Sequence, residues 1–384
     1  MTALEVPVPA PSLRTLQIGM TSTESGGGGE RYYFGLLNAL PTAGVASIGL
    51  VSGDAAQLSM KIGVTSFAPA ETSLIKRWIA LRRHVAGAAA NSDVIVSHFA
   101  PYALPVLDTL GSQPSVIHFH GPWALESAAE GAGRSAVITK HLIERVVYSR
   151  ASRFIVLSAS FASILERRYG VPADSIRIVP GGVNLEKFTR VTSKREAKVL
   201  LGWPTDRPTV LSVRRLVHAK GLENLIDAVV ESRRSIPDIL VIIAGSGPLE
   251  RELKRRTHDL ELDPWVRFAG FVPDAQLPTM YRAADLFVVP TVALEGFGLV
   301  VIEALACGTP ALVTPIAGLP EVVKELDPGL ILDGAAAADI ARGVCAALSG
   351  QHAIPSEDAC AAYAERFDWI NIAGRVAEVY HEVA

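Results

Sequence analysis

The chain has 384 residues, of which 49% are hydrophobic and 20% charged, with a formal net charge of -3. That length outgrows one core and predicts two domains, and the composition excludes a disordered or low-complexity protein. The slight acidic balance excludes the net basic surface expected of a nucleic-acid binder.

Residues 1–12 are rich in Pro and Ala and lack the basic end and long apolar stretch of a signal peptide. From there, short β-branched runs alternate with helical patterns, as in parallel sheets covered on both faces. Strands are expected at 15–19, 46–51, 93–97, 115–119, 154–158 and 176–179, with helices at 31–40 and 135–149 among the connections. Segment 72–84 reads as a basic helix with interleaved apolar residues, a pattern that suits an anionic membrane surface. Leu74, Ile75, Trp78 and Leu81 would equally serve as the side packed on the domain.

Pro180-Gly-Gly-Val-Asn184 is a turn signal, followed by a polar stretch at 189–198. A second strand series then begins at 209–213 and continues at 239–244, 266–269, 286–289 and 310–313. The expected division is 1–188 and 189–366, with an amphipathic helix at 367–384 packing back on the first domain. No apolar run reaches the roughly eighteen residues that a membrane span needs. Cys307, Cys345 and Cys360 form no C-x-x-C pair and have no histidine at metal-ligand spacing, so they read as reduced core thiols of a cytoplasmic protein.

Ligands of open parallel sheets sit beyond the carboxyl ends of the strands, so the residues there carry the chemistry. After the first strand come four glycines, 26–29, whose backbone can approach a phosphate at a helix start or simply form a loose turn. After 209–213 comes Arg214-Arg-Leu-Val-His-Ala-Lys220-Gly221, with a helix expected from Gly221, in which two cations, an Arg and a Lys, suit a diphosphate or equally a solvated basic loop. Gly245-Ser-Gly-Pro248 fits ligand backbone and a plain turn equally. His118 and His120 share a strand face, but only His120 sits at the carboxyl end beside Gly121-Pro122, with His98 as a competing candidate.

After 286–289, Glu295 and Glu303 bracket a loop and the opening of a helix. The first-turn amides of Phe297, Gly298 and Leu299 suit an anion, and the carboxylates suit hydroxyls. Glu303 lies in the apolar run 300–306, where an unpartnered carboxylate would cost several kcal/mol, so it needs a partner that a ligand hydroxyl would supply.

Over nearly the whole chain these residues resemble the retaining glycosyltransferases that include phosphatidylinositol mannosyltransferases and sucrose synthases. The resemblance runs through Gly27-Gly28-x-Glu30, His120-Gly121, Val179–Asn184 with Phe188, Arg215-Leu216 to Lys220-Gly221, Gly245-x-Gly-Pro248, 268–272, Tyr281 to Asp285, and Glu295-x-Phe-Gly-Leu to Glu303. It implies the α/β GT-B fold, two Rossmann-like doubly wound domains facing a cleft, with the donor held mainly by the second and the acceptor by the first. By that kinship Arg215 and Lys220 meet the diphosphate, Gly28 (or its neighbour Gly27) the distal phosphate, Glu303 the ribose, and the backbone near Val272 the base. Glu295, with the amides of 297–299, holds the transferred sugar, and His120 contacts it from the first domain. Two departures are the quadruple glycine, which blurs which glycine touches phosphate, and Ser246, where many relatives carry an acidic or other polar residue.

The implied reaction moves a sugar from a nucleoside-diphosphate sugar to a saccharide or lipid-linked acceptor with retention, in cell-surface polysaccharide or glycolipid synthesis, in the cytoplasm and, where segment 72–84 docks, at the inner face of a membrane. No metal or other cofactor is expected, because no Asp-x-Asp pair stands at a strand end. The competing readings are a non-hydrolysing sugar-nucleotide epimerase and a catalytically silent sugar-nucleotide binder.

Overall fold

A computed structural model describes residues 12–22, 27–54 and 63–384. Residues 1–11 and Gly26 of the glycine loop lie outside them. The chain divides into two compact units, one of residues 1–128, 132–182 and 369–384, the other of 129–131 and 183–368. The main stretch of the second begins at Val183, within the turn 180–184.

The first unit holds a seven-stranded parallel sheet in the order β3-β2-β1-β4-β5-β6-β7. Its strands are β1 (Leu13–Thr21), β2 (Val45–Ser52), β3 (Val64–Ala68), β4 (Val94–Ser97), β5 (Ser115–Phe119), β6 (Arg153–Val156) and β7 (Ile176–Ile178). Strand β3, at the sheet edge beside β2, is absent from the sequence expectation because polar Thr65 and Ser66 break its apolar run. Leu16 and Ile18 of β1, Ile95 of β4 and Ile117 of β5 are buried in one core with Leu81 and Val85 of the helix Leu74–Ala88. β1 lies between β2 and β4, so the order reverses there, and the crevice for a ligand falls beyond the ends of β1 and β4.

The last helix, Trp369–His381, belongs to this first unit. Tyr380 is fully buried, and Glu382 just beyond the helix pairs with Arg177 at 2.7 Å and Arg153 at 3.3 Å. Trp369 lies flat against two glycines: a Cβ at either Gly35 or Gly182 would collide with its indole ring.

The second unit is built on a five-stranded parallel sheet, β10-β9-β8-β11-β12. The strands are β8 (Thr209–Val213), β9 (Leu240–Ala244), β10 (Val266–Gly270), β11 (Leu286–Val289) and β12 (Ala311–Val313). Apart from Thr209 and Ser212 of β8 and Arg267 of the edge strand β10 they are hydrophobic, as a sheet covered on both faces requires, and the helices Leu222–Ser235 and Leu299–Ala306 bury their apolar sides. Asp285 fixes the start of β8 by accepting the Thr209 N–H at 2.8 Å while pairing with the buried Lys198 at 2.8 Å. Here the strand order reverses between β8 and β11.

Cys307 and Cys360 are buried, whereas Cys345 is only half-buried and so is not the core thiol expected. Among the described residues no helix is long and apolar enough to cross a membrane.

Replacing Gly35 by Ala should force the Trp369 indole out of its seat and lower stability by about 1–3 kcal/mol, the usual cost of overpacking. Urea unfolding followed by tryptophan fluorescence checks this, and an unchanged midpoint would mean that the ring gives way freely.

Candidate functional site

In the second unit the reversal of strand order brings two loops together, one after β8 and one after β11. Both are stitched by backbone bonds: Val292 and Ala293 donate to the Ala219 carbonyl at 3.1 and 3.3 Å. Gly221 makes this approach possible. Its φ is +66°, and any Cβ would collide with the Pro290 carbonyl oxygen. The loops after β9 and β10 join the same set, because Leu216 N–H donates to Ser246 O at 3.0 Å and Gly245 N–H to Gly270 O at 2.7 Å.

Three charged groups meet where the stitched loops converge. Lys220 Nζ donates to Glu295 Oε2 at 2.9 Å, and the Arg214 guanidinium bonds that same oxygen and, at 2.8 Å, Thr291 Oγ1. Arg214 is 7% exposed and its Nε has no hydrogen-bond partner among the described residues. Burial alone would raise the Glu295 carboxyl, but Arg214 and Lys220 more than offset it and hold the pKa at about 2 against an ordinary 4.5. The carboxylate is therefore ionised and fixed. Leu294, just before it, is held at φ +47°, a conformation that costs a non-glycine residue roughly 1–2 kcal/mol.

Of the two expected partners in the loop after β8, Lys220 joins this cluster and Arg215 does not. The Arg215 side chain is 64% exposed and pairs with Glu130 at 2.5 Å. Its neighbour Arg214, which the sequence reading passed over, takes the inward place because its N–H continues the β-ladder to Ala244 O at 2.9 Å. Strand parity was the available signal, since Val210, Ser212 and Arg214 fall on one face.

Glu303 is 5% exposed, as expected of a residue inside the apolar helix. The partner that burial demands is already in the fold: Tyr281 OH donates to Glu303 Oε2 at 2.8 Å. A ligand hydroxyl is therefore not required to explain it. At the start of that helix Gly298 is left-handed, with φ +87°, and supplies no side-chain acceptor to the first-turn amides, which include Leu299. Phe297 beside it is buried against Phe367, ring centroids 5.7 Å apart. Val272, in the loop after β10, is buried.

In the first unit Gly27 is the extended cap of the helix Gly28–Ala39, and a Cβ at either Gly27 or Gly28 would meet nothing within 4 Å. Open space, rather than crowding, surrounds both. His120 follows β5 and is half-buried, with His98 Nδ1 facing its Nε2 at 3.1 Å. His98, the competing candidate, is 2% exposed and therefore lies behind His120.

The helix Leu74–Ala88 packs through Leu81 and Val85 and leaves Ile75 68% and Ile79 50% exposed. The helix Arg134–Tyr148 shows the same habit, which the sequence reading missed: Ile138, Leu142 and Val146, at helical spacing, are exposed. Both helices lie against the short turn Leu104–Val106.

Residues 193–367 match the family model described as glycosyl transferases group 1, and residues 26–187 match the model described as glycosyltransferase family 4. The chain is 32% identical over 278 residues to D-inositol 3-phosphate glycosyltransferase 2 of Catenulispora acidiphila, covering 70% of this chain and 65% of that protein, just under two thirds. With a D-inositol 3-phosphate glycosyltransferase of Acidothermus cellulolyticus it shares 32% identity over 304 residues, 76% of this chain and 67% of that one. Among solved structures, HepE of Anabaena in complex with UDP and glucose superposes with a TM-score of 0.79 at 22% identity, covering 96% of this chain and all of that one, which places the fold as GT-B.

Because the Glu295 pKa lies below its unfolded value, its stabilisation is full above about pH 4.5 and is lost as pH falls toward 2. Glu295→Gln should be less stable than the parent near pH 7 by on the order of 3 kcal/mol, with the gap closing as acid protonates the parent carboxylate. Urea midpoints at pH 7 and near pH 3 check this, and a gap that stays the same between them would contradict it.

Proposed function

Because this chain belongs to the group 1, family 4 glycosyltransferases, we propose that it transfers a sugar from a nucleoside-diphosphate sugar to a hydroxyl of a saccharide or lipid-linked acceptor. The observation that carries this reading is the ionised Glu295, held by Arg214 and Lys220 at the switch point of the second sheet and followed by an uncapped helix start.

Breaking the bond to a nucleoside diphosphate builds positive charge on the sugar ring and negative charge on the departing phosphate. Lys220 and the exposed Arg215, which would exchange Glu130 for phosphate oxygens, supply the cations, and the amides at 297–299 and at Gly27 and Gly28 supply preorganised dipoles. Arg214 has a different task in this scheme: it orients Glu295, whose oxygens position hydroxyls of the transferred sugar. Glu303, oriented by Tyr281, takes the ribose, and the backbone beside Val272 and Gly245 meets the base. His120 receives a sugar hydroxyl on the first unit. In this reading Glu295 is not the attacking nucleophile. The acceptor hydroxyl approaches on the face from which the phosphate leaves, which retains the anomeric configuration, and a phosphate oxygen takes its proton, so no step calls on a metal.

A lipid-linked acceptor is supported by the exposed Ile75, Ile79, Ile138, Leu142 and Val146, interspersed with exposed Lys76, Arg83, Arg134 and Arg145. Such a surface lies on anionic lipid through apolar and ionic contacts together. The protein then works peripherally at the cytoplasmic side, a setting in keeping with its unpaired cysteines.

A thermal-shift screen against UDP-, GDP- and ADP-sugars should identify one base that raises the melting temperature. With that donor, Glu295→Gln should lose transfer by roughly 100–1,000-fold while keeping nucleotide binding, and Lys220→Ala should lose both. No shift with any sugar nucleotide would overturn the reading.

Sedimentation with phosphatidylglycerol vesicles should show binding at low salt that weakens at high salt and is lost in an Ile75→Glu, Ile138→Glu double variant. No sedimentation at either salt level would make a soluble acceptor the better reading.

A further inference from the structure

Behind His120 runs an ordered chain of polar groups through the interior of the first sheet. Gln17 of β1 donates from Nε2 to Thr15 Oγ1 at 2.9 Å and to Tyr380 OH at 3.2 Å. Its carbonyl oxygen faces His98 Nε2 at 2.9 Å, and His98 Nδ1 faces His120 Nε2 at 3.1 Å. The two imidazoles are stacked, 5.4 Å between centroids and 16° between planes, and Tyr32 meets the His120 ring edge-on at 4.9 Å. Gln17 is fully buried and His98 is 2% exposed, so neither has water to fall back on.

The order of donors follows from elementary valence. A neutral imidazole has one N–H and one lone pair, whereas an amide oxygen only accepts. Facing that oxygen, His98 must carry its hydrogen on Nε2, which leaves Nδ1 as an acceptor. His120 must then donate from Nε2, and its own lone pair is left on Nδ1. Burial makes the neutral form the relevant one, pushing His98 well below the ordinary histidine range, with further lowering from His118 and His120, and bringing His120 down to about 4.

We propose that Gln17 and His98 are positioning residues that lock His120 in its Nε2–H tautomer, so that its remaining ring nitrogen acts as a neutral acceptor for a hydroxyl group. The inference rests on the transferase reading for what occupies His120, but the lock itself is a property of the first unit alone. It specifies ligand chemistry: a lone pair without charge accepts from a sugar hydroxyl and offers nothing to phosphate or carboxylate. It also explains why two polar residues, one inside β1 and one directly after β4, occupy buried positions where aliphatic ones would pack at lower cost.

Histidine-selective ¹⁵N labelling of the full chain, with His120→Gln used to assign the signal, reads the tautomer directly by long-range proton–nitrogen correlation near neutral pH. The expected spectrum has a pyrrole-type Nε2 and a pyridine-type Nδ1 at His120. Hydrogen on Nδ1, or a charged ring, would overturn the proposal. Gln17→Glu keeps an oxygen in front of His98 and should preserve that pattern, whereas Gln17→Met should let His120 populate both tautomers. In Gln17→Met, kcat should fall roughly tenfold with the donor KM little changed, the scale of one lost hydrogen-bond orientation. An unmixed Nε2–H spectrum in folded Gln17→Met would also overturn it. Because the spectra are taken without substrate, a locked tautomer in a protein that transfers no sugar would reject the transferase reading and leave the lock standing.

Discussion

The ligand end of the second sheet depends on one ionic cluster, the carboxylate of Glu295 between Arg214 and Lys220. Any of these charges buried alone would cost several kcal/mol, so the three are tolerable only together. Two come from the loop after β8 and one from the loop after β11, which are neighbours only because the strand order reverses there. Topology, the left-handed Gly221 and the strained Leu294 thus serve one end: a fixed negative charge with positive charge beside it, at the place where an open sheet receives ligands. An anion and a polyhydroxylated group could each find its complement within a few ångströms.

The first unit answers a different problem. Thr15, Gln17, His98 and His118 are all buried within or directly beyond its strands, and each is satisfied by another side chain rather than by water. Part of that satisfaction is supplied by the helix Trp369–His381, because Tyr380 bonds both Gln17 and His118. A fully bonded polar network in a low-dielectric interior is rigid, since every rotation leaves a donor or acceptor stranded. Rigidity is what a half-buried histidine needs if it is to meet a ligand in one orientation.

Most of the scaffold was legible in the amino-acid order because buried parallel strands must be continuously apolar, and the runs at 209–213, 239–244 and 286–289 have no other good use. The edge strand Val64–Ala68 escaped because one exposed edge relaxes that demand. Lys220 and Glu295 were legible as candidates from their places after strands. What could not be read was which of two adjacent arginines turns inward, since Arg214 and Arg215 have identical chemistry and only the continuation of the ladder past Val213 separates them. Nor could the order reveal that Tyr281, on a separate helix, already answers Glu303, or that His98 stands behind His120. Each depends on side chains from distant segments meeting in space, and periodicity carries no record of such encounters.

The placement of Trp369–His381 has a bearing on biosynthesis. As the chain leaves the ribosome, residues 183–368 form an uninterrupted stretch that can close its sheet as soon as it clears the exit tunnel. The earlier-made unit must wait for Trp369–His381, which brings the tryptophan that covers Gly35 and Gly182 and the tyrosine that completes its polar interior. The unit begun first is therefore completed only after the second unit has been made, and a truncation that removes Trp369–His381 would injure the unit that was begun first.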